Sequence, residues 1–246
     1  MEQIMSNWIS SELVDSITYT IIQSMWQGAI IALITFILFQ WRGKHNPILK
    51  HKIALLGVAS LFVCALVTFV SSYMMGVTTD VTAMVGTVSE WTANIIILDE
   101  GALTLSNTWI GYLWILGVTV FSIKFLMDIG IVQYIRYSAI ENEESKEYKS
   151  KLDSLQQGIN TSVVLKVSNI IQATVTIGFF KPIILFPVGM LTQLTLLEVE
   201  SILRHEMAHI IRKDYLMNII QSIMEIVLFY HPLVWWLSKV AREERE

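Results

Sequence analysis

The sequence predicts a mainly α membrane protein, with three transmembrane helices followed by a cytoplasmic α+β domain. Two observations carry that reading. Apolar residues make up 54% of the 246 and charged ones only 15%, against roughly 45–50% and about 25% in soluble domains. So few charges cannot cover a water-soluble body of this size, and the mean hydropathy of +0.56 agrees. The charges are also unevenly placed, for no Lys, Arg, Asp or Glu occurs in residues 16–40, 53–79 or 101–123. Each run exceeds the roughly 20 residues needed to cross about 30 Å of hydrocarbon as a helix. Transmembrane helices are therefore expected at about 17–39, 53–76 and 104–127, within a membrane region of residues 1–138 that precedes a second domain over 139–246.

The same numbers exclude other classes. Disorder is ruled out because there is ample apolar area to bury. A net charge of −4 rules out a broadly basic nucleic-acid binder. The single cysteine, Cys64, lies inside an apolar run, so an intrachain disulfide framework or a Cys-based zinc finger is impossible.

Orientation follows from Lys and Arg in the short connections. The N-terminal tail has none, whereas the first connection holds Arg42, Lys44, Lys50 and Lys52. The second connection, from about Gly76 to Ser106, again has none. From Lys124 onward come 13 of the 17 basic residues. The N-terminus is expected outside, with the first connection and the C-terminal half in the cytoplasm. The start lacks a basic n-region and its apolar run is too long for a cleavable signal peptide. Lys124 and Asp128, spaced i, i+4 at the end of the third run, read as interfacial anchors.

Beyond Ile140 the texture changes. Residues 141–153 (ENEESKEYKSKLD) form a solvated helix or loop. Residues 162–187 are rich in Val, Ile and Thr and are broken by Gly178, Pro182 and Pro187, which suggests a small sheet. Within it, 171–178 reads either as an edge strand able to bind an extended peptide or as an ordinary internal strand. Thr195 and Glu198 make a capping box that opens a helix.

That helix carries His205-Glu206-Met207-Ala208-His209. Positions i and i+4 share a helical face, so both imidazoles can reach one metal ion. Glu206 is offset toward the same side, where a carboxylate can act as general base toward water. This is the zinc-peptidase arrangement, and its required context, a capped helix after a strand-like segment, is present. Catalytic zinc usually takes a third protein ligand. His45 and His51 lie in the first connection and His231 in an aromatic corner before Pro232, so a downstream carboxylate is the better candidate. Asp214 and Glu225 are expected on the same or a continuing helix, pointing away, which leaves Glu243, Glu244 and Glu246 in the terminal AREERE. Arg212, Lys213 and Asp214 read as a solvated or headgroup-facing patch, with a supporting role for Asp214 beside the site as the alternative.

HEMAHIIRKD, then FYHPLVWW and AREERE, resemble the BlaR/MecR-type membrane metallopeptidases, the beta-lactam sensor-transducers and their relatives. TIGFFKPIILFP upstream of the motif and SMWQG in the first membrane helix add to the likeness. The resemblance implies a bacterial plasma-membrane, multi-pass protein with a gluzincin-like, zinc-dependent peptidase domain facing the cytoplasm. It implies a sensor or other domain after a later membrane helix. It also implies signal transduction, by cleavage of the protein itself or of a transcriptional repressor. In the family the third zinc ligand is the Glu of an R-E-x-x-C-D segment. Arg245-Glu246 matches its first two positions, so the resemblance makes Glu246 the ligand, with His205 and His209, and Glu206 the catalytic residue. The Cys and Asp of that segment are absent, and with them a carboxylate to orient a ligand histidine. The expectation is therefore a fragment or truncated relative of a longer protein.

A Glu246 ligand constrains topology. To a hydropathy window, residues 215–238 look like a fourth crossing, which would separate Glu246 from His205 and His209. Glu225, Asn218 and Gln221 within the run, and Pro232 breaking it, point instead to a helical hairpin. One arm continues from the motif to about Tyr230, turns at His231-Pro232 and returns, with Trp235 and Trp236 near the tip. The expected activity is that of a membrane-anchored zinc endopeptidase. The alternative is a catalytically inert sensor or scaffold with a structural zinc site. A metal transporter is disfavoured, because paired polar residues are missing from the three membrane runs.

Overall fold

The structure, a computed structural model, describes residues 10–43, 46–75, 108–141, 148–156, 162–178 and 181–245. Gly76, Ser106, Glu246 and residues 142–147 of the charged stretch lie outside the described residues. Helix α1 spans Ser11–Leu38 and runs on as a π-helical turn, Phe39–Gly43, before α2, Pro47–Met75, and α3, Thr108–Ser138. Then follow α4 (Lys149–Gln156), β1 (Val164–Ser168), β2 (Val175–Ile177) and β3 (Ile183–Pro187). Last come α5 (Met190–Gln193), α6 (Leu196–Arg212), α7 (Asp214–Val227) and α8 (Pro232–Glu243). The described residues fall into two compact units, one within 1–121 and 223–246, the other within 122–222.

The first unit contains the first two membrane-length helices and the start of the third, whose residues from 122 onward belong to the second unit. Among the described residues three helices, Ser11–Trp41, Pro47–Met75 and Trp109–Ser138, are long and apolar enough to cross a membrane. The first two begin as their local sequence dictates. The Ser10 hydroxyl accepts from Leu13 N at 3.3 Å, capping α1. The Asn46 side chain does the same for Leu49 N at 3.1 Å, and Pro47 supplies a first helical residue with no N–H to satisfy. Hydroxyls inside the apolar helices bond back to their own backbone, Thr20 to the Ser16 carbonyl at 2.7 Å and Thr35 to that of Ile31 at 2.8 Å. In hydrocarbon no water would do so, and an unpaired hydroxyl is costly there.

The hairpin expected after the motif is formed by α7 and α8, joined through residues 228–231. His231 caps α8, its Nδ1 accepting from Leu233 N at 3.2 Å, which leaves Nε2–H to donate to the Ser24 carbonyl at 3.1 Å. Tyr230 OH pairs with Ser24 Oγ at 3.0 Å. The corner fits because glycines make room: a Cβ at Gly28 would meet His231 Nε2 at 2.2 Å, and one at Gly117 would meet Phe229 Cζ at 2.2 Å. Indole N–H groups satisfy carbonyls at the end of α7, Trp114 that of Val227 at 2.9 Å and Trp235 that of Phe229 at 2.7 Å. Trp236 packs edge-on against Phe39. Below the corner, Val58, Leu61, Leu228, Val234 and Leu237 are almost wholly buried in one cluster. Ion pairs close its far end, Arg242 with Glu225 at 2.7 Å and Lys50 with Glu244.

The second unit is built around a three-stranded sheet in the order β1-β3-β2, with β1 parallel and β2 antiparallel to β3. The run IILFP makes β3 apolar on both faces, as a central strand must be. Strand alternation then sorts the neighbours. Ile177, Ile183 and Leu185 pack in one cluster with Ala139. Leu165, Val167, Ile184 and Phe186 meet Val199, Leu203 and Met207, the apolar stripe of α6. Burying each such side chain contributes roughly 1.5–3 kcal/mol. This face fixes where α6 lies.

Candidate active site

Helix α6 starts at the capping box its sequence predicts. The Thr195 hydroxyl accepts from Glu198 N, and the Glu198 carboxylate accepts from Thr195 N at 2.8 Å. That backbone N–H foremost, and then the Thr195 hydroxyl donating to the same Oε2 at 2.8 Å, hold the Glu198 carboxyl below the ordinary carboxylate range. With Val199, Leu203 and Met207 pinned to the sheet, the rest of the motif is placed by helical geometry. His205 and His209 stand one turn apart, with their Nε2 atoms 3.1 Å from each other. Tetrahedral zinc with bonds of about 2.0–2.1 Å to imidazole nitrogen sets two such nitrogens about 3.3 Å apart. The pair therefore fits one metal ion.

Glu206 is 9% exposed and lies toward the sheet. Thr176, the middle residue of β2, donates from Oγ1 to Glu206 Oε2 at 2.5 Å. Val175 and Ile177 point to the opposite face, so the alternation of VTI alone could have marked Thr176 as the residue facing the helix. Sequence reasoning missed it. Strand β2 pairs with β3 and stands at an edge of the described sheet, so of the two readings of 171–178 the edge position is the one observed.

Asp214 corrects an expectation. A helix continuing through 213 would have carried its carboxylate away from the motif. Instead Lys213 adopts the left-handed region, φ 59°, its N–H bonding back to His209 O and Ile210 O, and α6 ends there. The chain swings round, α7 begins, and Asp214 Oδ2 comes to 2.6 Å from His209 Nδ1. Arg212 Nη2 lies 2.9 Å from both groups. Since a guanidinium and a protonated Nδ1 are both donors, the shared Asp214 carboxylate binds them together. A carboxylate on Nδ1 fixes the tautomer that leaves the Nε2 lone pair for a metal. A carboxylate placed to orient His209 thus stands at the start of α7. The hairpin's first arm is accordingly α7 alone, separated from the motif helix by one left-handed residue.

Among the described residues, no third His, Cys, Asp or Glu joins His205 and His209 in a metal-holding group. Glu225 pairs with Arg242, Glu244 with Lys50, and Glu243 with Lys239 at 3.8 Å. The expected ligand Glu246 lies outside the described residues.

The sequence model of the BlaR1 peptidase M56 family matches residues 19–246. The chain belongs to this family. Relatives in the BlaR1 peptidase M56 family include the regulatory protein BlaR1 of Bacillus licheniformis, 32% identical over 135 residues, or 54% of this chain and 22% of that protein. The regulatory protein BlaR1 of Staphylococcus aureus is 29% identical over 124 residues, 50% of this chain and 21% of its own length. The chain thus matches about a fifth of the length of these relatives. Membership in a peptidase family agrees with the helical membrane architecture and gives the HExxH residues a chemical context. In this M56 chain the Asp214 carboxylate makes a measurable claim. Asp214→Asn keeps the shape but loses the charge, and zinc affinity is expected to fall about 10–100-fold, as for other outer carboxylates. Competition with a zinc-selective chromophore reads this directly. Unchanged affinity would remove Asp214 from the site.

Proposed function

We propose that the chain is the membrane-anchored catalytic part of a zinc-dependent endopeptidase of the signal-transducing type, cutting itself or a cytoplasmic partner such as a transcriptional repressor. One observation carries the reading: two imidazole nitrogens converge at 3.1 Å beside a buried Glu206 that Thr176 holds in place. His205, His209 and Glu246 would hold the metal. When bound, zinc supplies a Lewis acid and an acidified water at that point. The Thr176 hydroxyl occupies Glu206 Oε2, which leaves Oε1 to take the proton of the attacking water and hand it to the leaving amide nitrogen. Asp214 keeps His209 Nδ1–H engaged, so its ring cannot turn away. The edge of β2 offers backbone groups to which an extended peptide can add as a further strand. A Glu206→Gln comparison with metal content measured tests the reading, and equal signalling with full metal in both would favour an inert transducer with a structural zinc site.

Topology is part of the same proposal. Lys50 faces the cytoplasm of a bacterial plasma membrane and Gly76 and Ser106 face outside, by the Lys and Arg asymmetry. In a Cys64→Ser background, cysteine placed at 76 or 106 is expected to react with an impermeant maleimide on intact cells, and cysteine at 50 only after lysis. Labelling at 50 on intact cells reverses the orientation.

A further inference from the structure

We propose that an apolar cavity in the first unit binds the acyl chain of a membrane lipid. The cavity has a volume of about 400 Å³, within the roughly 300–1,000 Å³ of ligand pockets. Its deep wall is made by Ile17, Ala65 and Leu228, at 6%, 6% and 1% exposure, and its rim by Leu66, at 51%. Leu66 belongs to the exposed apolar face of α2, so the cavity is continuous with the surface that a membrane-crossing helix gives to hydrocarbon.

The lining decides the ligand's chemistry. Three polar side chains reach it, and each is committed elsewhere: Thr20 to the Ser16 carbonyl, Trp114 to the Val227 carbonyl and Tyr230 to Ser24. Recognition of a headgroup, sugar or peptide backbone needs placed polar groups, and this wall offers dispersion. A cavity of about 150 Å³ takes up benzene, six carbons. On that scale 400 Å³ holds about 16 carbons, one acyl chain. A helix is about 10–12 Å across and could insert no more than side chains. In a bilayer, acyl chains are the solvent, and an empty apolar void forfeits the contacts they would make. The bound chain would also buttress the corner, because Val227, Leu228 and Tyr230 line the cavity.

The test uses the full-length protein in vesicles of phosphatidylethanolamine and phosphatidylglycerol, spiked with a phospholipid carrying a diazirine in one acyl chain. After illumination, labelled residues are mapped by mass spectrometry. Label is expected on Ile17, Ala65 and Leu228 despite their burial, as well as on lipid-facing Leu116. Leu66→Trp, at the exposed rim, or Ile21→Trp, in the lining, is expected to remove label from Ile17 and Leu228 while Leu116 keeps it, which also reports that the variant is folded. Label confined to exposed residues such as Leu116 would mean bulk lipid contact alone and overturn the site. So would label at Ile17 and Leu228 that neither tryptophan diminishes.

Discussion

Glu206→Gln in the full-length protein, assayed in membranes with its stimulus, is expected to lower peptide-bond cleavage by about 10²–10⁴-fold, the usual worth of a general base. The loss is at the upper end if the same carboxylate serves both the attack and the departure of the amine. The substitution keeps size and hydrogen bonding, so the Thr176 hydroxyl still finds an acceptor at the position where it now meets Oε2. Folding should therefore survive, and zinc content should stay near that of the wild type, because Glu206 is proposed as base and not as ligand. Both quantities have to be measured on the same preparation. Loss of zinc in the Gln variant would show that the roles are wrongly divided, and undiminished cleavage with zinc present would end the proposal that Glu206 is the base.

His205→Ala and His209→Ala are each expected to abolish stoichiometric zinc binding, a larger effect than the 10–100-fold loss from an outer carboxylate. The reason is geometric. Each imidazole supplies one of the two nitrogens that stand 3.1 Å apart, and neither can be replaced by a neighbour among the described residues. The two variants should differ in one respect. His209→Ala also removes the partner of Asp214, stranding a carboxylate that is 14% exposed and leaving it to Arg212 alone. His205 makes no such contact with Asp214. Metal analysis of purified protein, with helicity by circular dichroism as the control, separates loss of a ligand from loss of the fold. Full zinc occupancy in either variant would show that the site lies elsewhere.

Much of this protein can be read one residue type at a time. Long uncharged runs force membrane-length helices, because hydrocarbon tolerates neither charges nor unpaired backbone groups. A Thr-x-x-Glu box starts a helix wherever it precedes an apolar stripe, and α6 begins at Thr195 as that rule requires. The i, i+4 spacing alone sets His205 and His209 on one face. These are local properties, in which neighbours in sequence are neighbours in space.

What the tertiary structure decided depends on contacts between distant segments. Thr176 and Glu206 are 30 residues apart, and they meet because Val199, Leu203 and Met207 pin α6 to the face of the sheet on which Thr176 lies. Asp214 reaches His209 through a single left-handed residue, Lys213, that is neither Gly nor Asn and so carried no sequence signal of a helix stop. The segments SMWQG and FYHP each looked like isolated motifs, yet Ser24 and Gly28 of the first receive His231 of the second, 207 residues apart along the Ser24–His231 bond. The sequence by itself determined which long helices form, which can cross a membrane, and which three residues are proposed to carry the chemistry. The fold alone decided what holds those residues in place, because orientation of a side chain is fixed by packing and hydrogen bonds from segments whose proximity no local pattern encodes.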